Sequence, residues 1–196
     1  MAQAMAAANT HNGATDALAW YAGIFDSRGM QNDTAGPDTL RHLFALLLGL
    51  GMRESSGVFT EGRDMSADNV TSDTAEAGLF QQSWNSHVAA PELFANLMAS
   101  YQTDLDGFAD VFREGVSKPM SGSYGSGRGR VFQVLAKTKP AFAVECAALG
   151  LRVIRRHWGP LNRYEAECKS AADAMLRDVG AVVTAAAVSA DDYSGA

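Results

Sequence analysis

Long hydrophobic runs are missing from this sequence. No stretch approaches the ~20 consecutive apolar residues that cross a bilayer, and the richest, Leu43 to Leu50, has the length of a buried helix, so membrane insertion is not expected. Cysteine is scarce: Cys146 and Cys168 are the only two, too few for a disulfide-stapled scaffold. They read as two half-buried thiols or as one bridge between packed helices. Zinc-ligand spacing, a Gly-rich phosphate loop after a strand and basic–aromatic interleaving are all lacking, which argues against metal-finger and nucleic-acid functions. Met1 to Thr10 is rich in Ala but has neither a basic leader nor a strong apolar block, so it does not read as a Sec signal peptide. A target outside the cytoplasm would then require delivery by another route.

What is present suffices for one core. A chain of 196 residues that is 47% hydrophobic and 19% charged fits a single domain. Residues 1–14 read as a flexible lead-in, 15–188 as the domain and 189–196 as a disordered tail. Net charge is −6, yet residues 128–169 hold nine Lys/Arg against three Glu, leaving the rest strongly acidic. That basic run reads either as a solvated helix face or as a surface for a polyanion.

Hydrophobic periodicity predicts a mainly α fold. Leu18, Tyr21 and Phe25 mark a helix from Asp16 to about Arg28, stopped by Gly29. Asp38 or Thr39 can cap a second helix, apolar nearly all round, whose stripe is Leu40, Leu43, Phe44, Leu47 and Leu50. From Ser55 to Ser86 small and polar residues crowd between short apolar pieces with no helical period, predicting a small β or loop insertion. Helix resumes after Pro91, with Leu93, Leu97 and Tyr101, then Leu105, Phe108 and Phe112. A Gly/Ser loop spans Ser121 to Gly129. Further helical stripes are Val144, Leu151, Ile154 and Trp158, then Cys168, Ala172, Met175 and Val179.

Glu54 is the residue that points to chemistry. It ends the apolar run Leu43 to Met52 and is followed at once by Ser55, Ser56 and Gly57. A carboxyl held there is partly desolvated, which disfavours its charged form and suits it to hold a proton near neutral pH as a general acid. The same tuning is the handling of the acid in lysozyme, a standard illustration of this principle.

Three segments carry a resemblance. Glu54-Ser55-Ser56-Gly57, then Ala77-Gly78-Leu79-Phe80-Gln81, then Tyr124-Gly125-Ser126-Gly127 followed by Gly129-Arg130-Val131, resemble in order the motifs of the lysozyme-like superfamily, especially lytic transglycosylases and goose-type lysozymes. The match covers roughly residues 40–135. It implies an α+β lysozyme-like helical bundle around a buried helix ending in the catalytic Glu. It also implies that Glu54 is the acid, that Ser55, Ser56, Gly78, Leu79, Phe80 and Gln81 line a saccharide groove, and that Tyr124 partners the Glu54 carboxyl. The third motif usually reads Tyr-Asn-Ala-Gly, so Gly125 and Ser126 are departures, and residues 140–179 have no part in the match.

The expected activity is cleavage of the β-1,4 bond between N-acetylmuramic acid and N-acetylglucosamine in peptidoglycan. Lytic transglycosylation at that bond, chitinase or chitosanase activity, and a non-catalytic glycan-binding or structural role in a phage or secretion apparatus are the alternatives. A second carboxylate decides the reaction, and Glu61, Asp64, Asp68, Asp73 and Glu76 lie between Glu54 and Gln81, with Asp73 the first choice and Glu76 the second. No cofactor is required, although Asp64, Asp68, Asn69 and Asp73 are hard oxygen donors of the kind Ca²⁺ takes, at a spacing that is not an EF-hand's. The wall as target implies action in the periplasm or cell wall after delivery by a secretion system or phage, and an immunity protein that plugs the groove.

Overall fold

The computed structural model describes residues 1–63, 71–102 and 122–193, the last seven of these as backbone only. Its elements are α1 (Ala2–Met5), α2 (Ala17–Trp20), α3 (Ala22–Asp26), α4 (Pro37–Ser55), α5 (Pro91–Gln102), α6 (Gly127–Thr138), α7 (Pro140–Val153), α8 (Gly159–Asn162) and α9 (Ser170–Tyr193). Short 3₁₀ turns cover Trp84–Ala89 and Arg155–His157. The fold is mainly α. Among the described residues the loop after α4 contains no strand, and its one β feature is an isolated bridge between Ala77 and Gln82.

Helix α4 is the axis. Pro37 opens it with a fixed φ where the N–H is not needed, and Leu43, Leu46 and Leu50 are wholly buried. It packs on α7, α8 and α9, while α5, α6 and α7 close the other side around Phe94, Phe132 and Phe142. Gly49 is required because a Cβ there would collide with the main chain of Glu167. The helix is not apolar-buried all round: Leu48 and Met52 are 43% and 62% exposed.

Several boundaries differ from the sequence reading. The first helix breaks into α2 and α3 at Tyr21, although Asp16 does cap it, its carboxylate accepting from Leu18 N–H. Residues 1–14 are not a loose lead-in. Arg152, itself buried, donates to the carbonyls of Met5, Ala7 and Ala8 and pairs with Asp16 at 3.0 Å, pinning this segment to α7. The helical backbone of α9 runs through 189–193, where a disordered tail was expected. Its N-terminal end docks through Asp173, which pairs with Arg41 at 2.5 Å and lies 3.5 Å from the buried His42. Met175 and Val179, expected on one stripe with Cys168 and Ala172, are half exposed: the face of α9 that meets the body runs through Ala172, Asp173 and Leu176, and the described residues after Leu176 are exposed.

Cys146 and Cys168 are both buried and free. Part of the basic run is consumed internally: four of its nine cationic residues, Lys137, Lys139, Arg152 and Arg155, are buried, and the others remain at the surface. Leu105, Phe108 and Phe112 lie outside the described residues.

Candidate active site

The site begins with a register. Glu54 continues the helical stripe Leu43, Leu47, Leu50, at steps of four, three and four residues, so the rotation that buries those leucines carries its carboxyl toward the body. Helix α4 ends one residue later. Ser56 and Gly57 take left-handed φ of 55° and 78°, and their N–H groups fold back to Gly51 O. The acid is therefore half-buried at a helix C-terminus, with the carbonyl end of the helix dipole disfavouring negative charge. Burial, reinforced by the nearby Glu76 carboxylate and opposed by the Arg163 guanidinium, pushes its pKa up from 4.5 to about 7.

The Gly78–Gln81 segment is locked to this helix end. Ser55 Oγ donates to Leu79 O at 2.8 Å, and Gly51 leaves room for the Leu79 and Phe80 side chains. Gly78, at φ 76°, packs so closely on Ala136 O of α6 that no Cβ fits. Gln81 is buried, and its side-chain amide donates to Gly78 O at 3.0 Å. Phe80 is buried as well, whereas Leu79 is half-buried and Ser56 exposed. Of the expected groove residues, Leu79 and Ser56 therefore present side chains outward, while Ser55, Gly78, Phe80 and Gln81 build the wall behind them.

The third motif works through its glycines. Gln133 of α6 accepts from Tyr124 N–H at 2.8 Å and donates to Tyr124 O and Ser72 O, fixing the loop against residues 72–73. A Cβ on Gly125 would strike the Ser72 side chain, and one on Gly129 would strike Ser72 O and the Asp73 carboxylate. Glycine at position 125 is thus a packing requirement. Tyr124 is 40% exposed, and the Arg63 guanidinium lies 4.1 Å from its ring centroid.

The two candidate second carboxylates separate. Glu76 is half-buried and close enough to Glu54 to act on its charge, whereas Asp73 is exposed with its carboxylate against Gly129. Glu61 is half-buried, and its carbonyl accepts from Gly78 N–H. Asp64, Asp68 and Asn69 lie outside the described residues, and among those described no cluster of metal-ligating side chains occurs.

The segment after α7, given no role by the sequence motifs, supports the same loop. Trp158, wholly buried, donates its indole N–H to Phe80 O at 2.7 Å, and Gly150 makes space for its ring. His157 Nε2 lies 3.4 Å from Gln81 O, and burial holds its pKa below the ordinary histidine value. An indole facing a carbonyl across 78 residues leaves no local pattern, which is why only the coordinates reveal it. An apolar cavity of about 440 Å³ lies against the last turns of α4, lined by Phe44, Leu47, Gly51, Met52, Leu79 and Val144 among others, and Glu54 is not among its lining residues. Comparison with family profiles, with curated proteins and with solved structures returned no match.

Proposed function

We propose that this chain is a glycosidase of lysozyme-like type that cleaves the β-1,4 bond between N-acetylmuramic acid and N-acetylglucosamine in peptidoglycan. The observation that carries this reading is the half-buried Glu54 carboxyl, whose pKa of about 7 keeps it protonated in mildly acidic conditions and partly protonated at neutrality. In this reading Glu54 gives its proton to the departing glycosidic oxygen. Glu76, whose carboxylate acts on the Glu54 charge, takes the second role, orienting water or stabilising positive charge at the anomeric carbon. This exchanges the sequence-based order of preference, since Asp73 lies exposed against α6.

Two half-buried carboxyls close enough for one to act on the other's charge support a division of labour in which one holds the proton and the other supplies the counter-charge. Loop 77–81, braced from three sides, supplies a rigid wall for a sugar chain. Digestion of purified sacculi followed by mass spectrometry tests the reading: new reducing ends from the wild-type chain and none from Glu54→Gln are expected. A 1,6-anhydro end would move the chemistry to transglycosylation, and intact sacculi with undiminished binding would make the protein a glycan-binding module.

A further inference from the structure

The turn after α8 presents a second surface at the same helix end. Tyr164 holds a left-handed φ of 57°, a conformation that costs any residue with a Cβ and persists only where its surroundings impose it. Stacking imposes it. The Tyr164 ring lies 4.8 Å from that of Trp20 with planes 11° apart, and Tyr21 tilts against it at 5.2 Å. Trp20 is fixed in turn: its indole N–H donates to Leu161 O at 3.1 Å, and the Arg155 guanidinium packs 3.9 Å from its ring centroid. Arg155 is tied to Gly13 O and to Asn162 Oδ1. This stack ends in Tyr164, a residue still 46% exposed.

The neighbouring Arg163 is equally pre-set. Glu165 grips its guanidinium through two bonds, 2.8 and 2.9 Å, yet its side chain stays 61% exposed. The same Glu165 carboxylate lies 3.7 Å from Arg53, the residue directly before Glu54. The turn is thereby tied to the last turn of α4, and Arg163 and Glu54 lie within reach of each other's charge. Arg53 also lies within reach of the Glu167 carboxylate, so the two guanidiniums face two carboxylates, and it is the exposure of Arg163 that leaves it open to a further acceptor.

We propose that Arg163 and Tyr164 form a saccharide subsite beside Glu54, with the Tyr164 ring carrying the apolar face of a pyranose and Arg163 pairing with a carboxylate borne by the sugar or its substituent. Stacking is blind to that substituent, while the guanidinium is not. The pair thus selects acid-bearing glycan over neutral N-acetylglucosamine polymer. This rests on the glycosidase reading for its placement and goes beyond it in naming what chooses the substrate.

Binding to the full-length Glu54→Gln protein tests the subsite separately from catalysis, using solubilised peptidoglycan strands and a neutral N-acetylglucosamine hexamer as probes in calorimetry. Tyr164→Ala is expected to weaken both roughly tenfold, Tyr164→Phe to restore both, and Arg163→Gln to weaken the peptidoglycan strands alone by about tenfold. Tyr164→Gly is the control for folding, since it removes the ring while relieving the backbone; a retained melting temperature with lost binding is expected. Wild-type affinity in Tyr164→Gly, equal losses on both probes in Arg163→Gln, or no binding of either probe overturns the proposal. Binding that obeys these rules in a protein that never cleaves sacculi would instead overturn the glycosidase reading and leave the subsite standing.

Discussion

Glu54 has two flanks, and they are built by different means. On one, residues 72–81 meet the 122–129 loop and α6 through backbone: Gly78 against Ala136, Gly125 and Gly129 against Ser72. On the other, residues 157–168 are held by side chains: Trp158 on Phe80 O, Tyr164 on Trp20, Arg163 on Glu165. Backbone contact tolerates only glycine and so writes itself into short sequence patterns. Side-chain contact is made by partners from distant segments and leaves no such trace. The contrast predicts that the first flank breaks when a methyl is added and the second when a side chain is removed.

The largest expected effect lies between the flanks. Glu54→Gln should lower turnover of sacculi by about 10² to 10⁴, the usual worth of a positioned general acid, read from reducing-end release. The same variant should be the more stable protein at alkaline pH. The folded chain holds this proton more tightly than the unfolded chain, so rising pH removes stability between 4.5 and about 7. Glutamine has no proton to lose, and the gain, after discounting for solvent screening, is no more than about 2 kcal/mol at pH 8 and nothing at pH 4. Urea titrations at the two pH values measure it.

Trp158→Ala should come next, costing about 3–5 kcal/mol as a buried aromatic whose loss also strips Phe80 O of its donor. Chemical denaturation gives the figure, and activity should fall at temperatures where the protein remains folded. Gly129→Ala should cost less, about 1–3 kcal/mol, as residues 72–73 and α6 are pushed apart. If Gly129→Ala proves neutral, the first flank is more compliant than its close packing implies. Glu76→Gln removes the second carboxyl of the proposed mechanism and should lower turnover as well; the smallest expected effect is the shift it leaves in the pH dependence of the residual activity. Removing that negative neighbour lowers the Glu54 pKa, and the alkaline limb of the pH–rate profile should move acidward by less than about one unit.

These outcomes map onto what was legible beforehand. Helix α4 and its terminal acid stood out because Leu43, Leu47 and Leu50 keep helical register and Glu54 extends it. The glycine-bearing motifs stood out for the reason just given. The breaks were less visible. Asp16 caps a helix as its residue type suggests, but nothing local says that α2 stops at Tyr21. Gln81 looks like an outward polar residue until its buried amide is seen bracing Gly78 O. The basic run reads as surface because Arg152 and Arg155 find their carbonyl and carboxylate partners 136 to 147 positions away, or in an aromatic ring.

The Arg152 contacts have a kinetic corollary. A guanidinium that gathers Met5, Ala7, Ala8 and Asp16 closes loops spanning most of the sequence, and such closures come late, after helical pairs of short range have formed. Until it closes, two ionised groups destined for the interior remain in water. Once it does, opening either segment strands a buried charge, so residues 5–16 should resist proteases up to the threshold of global unfolding, unlike the exposed stretch of α9 after Leu176.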